Sequence, residues 1–137
     1  MSYHPRQEQH ALLSHLLEQA GIDADIKSLE VSDLNDGGMG SFAIGKNYAD
    51  RSLGRQVSEC YFQDEDGTVV SATLNTDSKG ELYELDVWRV DFRPLHSWPN
   101  ANRIRDGAYR VVGADRLPVI AVASRLTECS ASIYMFI

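Results

Sequence analysis

The longest alternation of apolar and polar positions runs from Gly80 to Phe92, GELYELDVWRVDF, and its period of two predicts a β-strand. Tyr83, Leu85 and Val87 share one parity while Trp88, Val90 and Phe92 share the other, so the apolar side changes midway. That change predicts a bulge near Val87 and Trp88 or a strand covered on both faces, and in either case a central strand. Glu84 and Asp86 fall on one face of it, beside Leu82 and Trp88, and are the leading candidates for a functional site.

Elsewhere the period lengthens. Leu12, Leu13, Leu16, Leu17 and Ala20 form one stripe in a helix expected over residues 5–20, with Pro5 suited to the first turn and Gly21 to the stop. Trp88 is expected to be buried against this stripe. His10 and His15 lie off it, five residues apart, and are expected to face solvent rather than hold a metal. A short strand over Ser28 to Leu34 and another over Met39 to Gly45 flank Asn35-Asp36-Gly37-Gly38, a turn because asparagine and glycine accept positive φ. After a polar loop over residues 46–54, Gln56 to Gln63 and Thr68 to Asn75 flank Asp64-Glu65-Asp66-Gly67, a second hairpin that places Cys60 and Phe62 with Val70, Ala72 and Leu74. The pattern predicts an α+β fold, with the N-terminal helix packed on an antiparallel β-meander sheet of about four to six strands. Beyond Phe92, the prolines at 94 and 99 end the strand, and Ala108 to Val112 and Val119 to Ala123 are expected to be short strands or fringe segments. Ile133 to Ile137 is wholly apolar and is expected at a sheet edge, in a homodimer or beside the Gly80 to Phe92 strand of the same chain.

The chain has 137 residues, which suits one domain over 1–137 with its own core. Its net charge of −7 is unevenly spread, with −10 in residues 1–92 and +3 in residues 93–137. An acidic body disfavours nucleic acid and anionic membranes and suits a basic protein partner. Cys60 and Cys129 lack metal or redox spacing and are expected to be buried free thiols. No apolar run reaches the about 18 residues that span a bilayer, and MSYHPRQEQH has no signal-peptide core, so the expected compartment is the cytoplasm.

Chemistry is sparse. Gly37, Gly38 and Gly40 with Ser41 lack the spacing of either phosphate-binding loop, so a structural turn outweighs a phosphate cradle. Asp64 and Asp66 fail as a calcium loop, because Phe62 and Thr73 stand where ligands are needed. His96 directly precedes Ser97, a poor arrangement for a base and its nucleophile. Glu84 and Asp86 could act as an acid and base pair, although Arg51, Arg55 and Arg89 are available to neutralise them.

DGGMGS at Asp36 to Ser41 and ELYELDVWRVDF at Glu81 to Phe92 together resemble a family of small uncharacterised bacterial domains with a DGGMGS-like turn and an FELDIWKVDF-like strand. The resemblance covers roughly residues 6–95, with Tyr83 in place of Phe and Arg89 in place of Lys, and it implies no activity. The general character is similar to that of immunity proteins that accompany bacterial toxins. The expectation is therefore a non-enzymatic binding module whose acidic face caps a basic partner such as a toxin, with Glu84, Asp86, Asp36, Ser41 and Arg89 as candidate binding residues and no cofactor. A small hydrolase or lyase using Glu84 and Asp86, and a structural or oligomerisation domain, are the alternatives.

Overall fold

Residues 1–109 are described by a computed structural model. The leucine stripe forms helix α1 (His10–Ala20), entered through a 3-10 turn at Gln7–Gln9. The Gln9 side chain accepts the Arg6 N–H at 2.7 Å, satisfying one donor that the helix start leaves open. Gly21 takes φ +71°, its N–H donates to the Glu18 carbonyl, and the Ile22 N–H donates to that of Leu17. This paired arrangement closes the helix end on carbonyls that would otherwise lack donors. Neither histidine is fully in solvent as expected. Both are half-buried: a His15 ring nitrogen lies 2.6 Å from an Asp106 carboxylate oxygen, and a His10 ring nitrogen lies 3.3 Å from the Pro5 carbonyl.

Six strands follow: β1 (Val31–Asp33), β2 (Phe42–Ile44), β3 (Leu53–Gln63), β4 (Val69–Asp77), β5 (Leu82–Arg89) and β6 (Arg105–Asp106). Every pairing is antiparallel and the spatial order is β1-β2-β5-β4-β3-β6, so the fold is α+β. Only β3, β4 and β5 form a consecutive meander. The β1–β2 hairpin joins the far side of β5, which requires residues 45–52 to cross the sheet end near Leu82 and Asp77. The strand expected over Ser28 to Leu34 is shorter, Val31–Asp33, and Ser28 instead ends a 3-10 turn at Ile26–Ser28.

One face of the sheet meets α1. Leu12, Leu13, Leu16 and Leu17 pack there with Phe42, Cys60, Phe62, Val70, Ala72, Leu74, Leu85 and Val87, which places Cys60 and Phe62 on the core side as the hairpin pattern predicts. Trp88 does not join them. It lies on the opposite parity from Leu85 and Val87, half-buried, with its ring edge-to-face against Phe92. No bulge interrupts Val87 and Trp88, whose register against Ala72 and Ser71 is regular; the shift lies between Asn75 and Thr76. Instead both faces are covered, since β4 is buried along its whole length.

The sheet margins are closed or bent. Tyr3 exchanges two backbone hydrogen bonds of 2.8 Å with Val31 along the outer side of β1, while β3 carries register shifts at Leu53/Arg55 and Gln56/Ser58. On that side β6 covers only Cys60 and Tyr61, helped by Ile104, which is buried in the core. Most of Ala108 to Val112, together with Val119 to Ala123 and Ile133 to Ile137, lies outside the described residues. Among the described residues, no helix is long and apolar enough to cross a membrane.

Candidate functional site

Three loops converge at one end of the sheet: the Asn35–Gly40 turn before β2, the Asp64–Gly67 turn between β3 and β4, and residues 90–98 after β5. Asp64 joins them. Its fully buried carboxylate accepts hydrogen bonds from Arg89 Nη1 at 2.8 Å, the His96 N–H at 2.8 Å, the Ser97 N–H at 3.0 Å and the Glu65 N–H at 2.8 Å. The turn that presents it closes at Gly67, whose φ of +86° suits the position after Asp66.

Arg89, 1% exposed, faces two further carboxylates. Nε and Nη2 donate to the two oxygens of Asp91 at 2.9 and 2.7 Å, and Nη2 also reaches Asp66 at 3.0 Å. A planar guanidinium has the donors for this fork, which an ammonium lacks. The Arg89 hydrogen bond holds the Asp91 carboxyl down at about 2 and lowers that of Asp66 as well. Burial works to raise Asp64, but the His96 N–H and Arg89 outweigh it and keep this carboxyl below the ordinary value. Asp91 and Asp66 in turn raise Arg89. One cation against three ionised carboxylates leaves the ion-paired group at −2, and the Arg93 charge, which also acts on Asp91, brings the neighbourhood to −1. Ligand atoms of Asp64, Asp66 and His96 come within 4.8 Å of one another, the spacing of a metal site, but Arg89 and backbone N–H groups already occupy the carboxylate oxygens.

The glycine-rich turn is built to be overlaid. Asp36 accepts the Met39 N–H at 3.1 Å and the Ser41 N–H at 3.0 Å, which fixes the loop. Gly40, at φ +109°, sits so close to Trp98 that a Cβ would meet the indole at 3.2 Å, and Gly38 accepts the Leu95 N–H at 3.0 Å. Ser41 Oγ accepts the Val87 N–H at 2.8 Å and lies 3.0 Å from Asp86 Oδ1, while Met39 Sδ accepts the Arg89 N–H at 3.4 Å. The two sequence motifs therefore touch. Between the turn and residues 95–98 lies a cleft of about 210 Å³ lined by Arg6, Asp33, Asp36, Ser41, His96 and Trp98. His96 also connects it to the carboxylate cluster, with Nδ1 4.0 Å from Asp66.

Glu84 and Asp86 are elsewhere, on the sheet face opposite α1, and are only 6% and 3% exposed. Glu84 accepts the Tyr48 hydroxyl at 2.7 Å and Asn75 Nδ2 at 2.8 Å, while Asp86 faces Ser41. Burial, then Glu84, raises Tyr48 far above its ordinary value, keeping it a hydroxyl donor. Among the described residues Glu84 has no arginine partner, and the three arginines expected to neutralise the pair are placed elsewhere. Arg89 goes to the loop cluster, Arg55 is exposed, and Arg51 binds Asp77 at 3.0 Å and the Ile44 carbonyl at 2.8 Å. Arg51 borders a wide hollow of about 710 Å³ at the opposite end of the sheet, where it ties residues 45–52 to β5.

Of the five candidates from sequence, Asp36, Ser41 and Arg89 come together at the loop end, and Asp86 is linked to them through Ser41. Sequence reasoning missed Asp64 and Asp91 as partners of Arg89, and Trp98 as the lid on Gly40. Its one signal was the Asp-x-Asp-Gly turn, which shows where those carboxylates sit and not what they face.

Among the described residues, one helix on a six-strand antiparallel sheet, with a loop end organised by a buried arginine, defines an α+β fold. The chain belongs to a family described as a domain of unknown function (DUF6984), whose model matches residues 3–99. No curated protein and no solved structure matches it. The matched region runs from the strand-capping Tyr3 to the end of the loop cluster and stops before β6.

Proposed function

We propose that the domain is a non-enzymatic protein-binding module whose acidic surface receives a basic segment of a partner protein. The observation that carries this reading is the cleft at the loop end, about 210 Å³ in volume and lined by Asp33, Asp36 and Trp98 together with Arg6, near the carboxylate cluster around Arg89. Pockets that enclose metabolites run from roughly 300 Å³ upward, so this cleft suits a single side chain. A lysine or arginine head suits a lining that holds both carboxylates and an indole. Arg6 stands at the cleft too, engaged by Glu8 at 3.2 Å.

The wider surface supports the same partner. Glu18, Asp23, Asp50, Glu65 and Glu81 are exposed and have no ion-pair partner among the described residues. A field of one sign speeds encounter with the opposite sign and is screened by salt. An immunity protein capping a basic toxin is one form of this reading. The hydrolase or lyase alternative is less favoured, because a general acid or base must reach its substrate and Glu84 and Asp86 are closed off.

The test is a pull-down from the source cell with tagged protein, with the parent and Asp33→Lys compared. A basic partner is expected on the parent at low salt, released by about 0.5 M salt where the Debye length is only a few Å, and weakened by the substitution. A retained partner that is acidic, or indifferent to both salt and Asp33→Lys, overturns the reading.

A further inference from the structure

Phe92 and Trp88 form an aromatic pair at the end of β5 that the core does not use. Phe92 is 66% exposed, and its ring meets that of Trp88 edge-to-face with centroids 5.1 Å apart. Single exposed apolar side chains are ordinary on protein surfaces, but this one is also held in an uncommon backbone state. Its φ is +64°, a left-handed conformation that strains a bulky residue and persists only where the surroundings impose it. The surroundings here are the arginine cluster. The Phe92 N–H donates to the Arg89 carbonyl at 2.9 Å, Arg89 grips Asp91 on one side, and the Arg93 N–H donates to Asp91 at 3.0 Å on the other. The ring is thus held in one orientation facing solvent, with little left to order when something docks on it.

Charge indicates what docks. Asp91 and Asp66 remain 37% and 39% exposed while bound to Arg89, and both are held ionised. An aromatic ring next in the chain to Asp91, in a cluster that stays net acidic even with the Arg93 charge counted, is complementary to a side chain with an apolar stem and a cationic head, and arginine stacks on rings best. We propose that Phe92, oriented by Trp88 and by the turn fixed on Arg89, is a second contact, outside the Trp98 cleft, for the same arginine-bearing or lysine-bearing segment of the partner protein. This rests on the binding-module reading and specifies where and how the partner is held.

The experiment uses a fluorescein-labelled nine-residue peptide alternating arginine and leucine, and a counterpart with glutamate in place of arginine. Anisotropy titrations at low salt are run with the full chain and with Phe92→Gly, and each protein is melted. The parent is expected to bind the arginine peptide and not the glutamate one. Phe92→Gly is expected to weaken binding at least fivefold while its Tm stays level or rises, because glycine takes positive φ without strain. Parent-like binding by Phe92→Gly overturns the Phe92 contact and leaves the acidic-surface reading intact. A lower Tm for Phe92→Gly assigns the ring to packing and overturns the contact as well. A parent that ignores the arginine peptide, or binds both peptides alike, overturns the reading on which the inference rests.

Discussion

At Asp64, four donors from three separate stretches of chain reach one carboxylate, and only a residue with two acceptor oxygens and a full charge could serve them all. Asp64, Asp66 and Asp91 are each held below the ordinary carboxyl value, so the folded chain binds fewer protons than the unfolded one in acid. Their contribution is complete above about pH 5, where unfolded carboxyls are ionised, and is lost as pH falls through the folded values, of which that of Asp91 is about 2. Thermal melts between pH 5 and pH 2 should show Tm falling most steeply at the acid end, and Asp91→Asn should flatten that fall. A variant with the parent's full acid slope would remove Asp91 from the account. From sequence, Arg89 was a candidate binding residue available to neutralise Glu84 and Asp86, and its actual partners could not be read. A charge can be located by position, but its counter-ions depend on loops that meet only in space.

Helix α1 was legible because its four leucines repeat at helical spacing and nothing else in that stretch competes with them. For β5, the alternation located the strand but did not tell which parity takes the helix. Both parities hold large apolar residues, and the polar face carrying Glu84 and Asp86 turned out to be buried too. Strand order was beyond the pattern as well, since period two defines a strand and not its neighbours. The placement of Trp88 outside the core reverses an energetic expectation. Leu16→Ala should cost about 3 kcal/mol, the range for fully buried leucines, whereas Trp88→Ala should cost well under the about 3–5 kcal/mol of a core tryptophan. Urea titrations of the two variants decide it, and a Trp88 variant weaker than the Leu16 one would return Trp88 to the core.

For the molecule as a whole, the family match ends at residue 99 while the core continues to Ile104, and Asp106 reaches back to His15 and Gln19 on α1. The uneven charge of the sequence marked a change of texture after Phe92, but one isoleucine among polar residues gave no sign that it was buried. Ile104→Ala should destabilise by about 2–4 kcal/mol, as deletion of a buried branched side chain does; a calorimetric melt within a degree of the parent would show that residues 100–106 are an ornament. The closed margin at Tyr3 and the two bends in β3 have a consequence of another kind. Fibrils and turbid precipitates grow when one molecule offers another a straight row of unpaired amides, and flat open borders supply that row. Here one border is already occupied by the chain's own first residues and the other is kinked twice along its length. Among the described residues, the rim of the sheet is thus built against edge-to-edge growth.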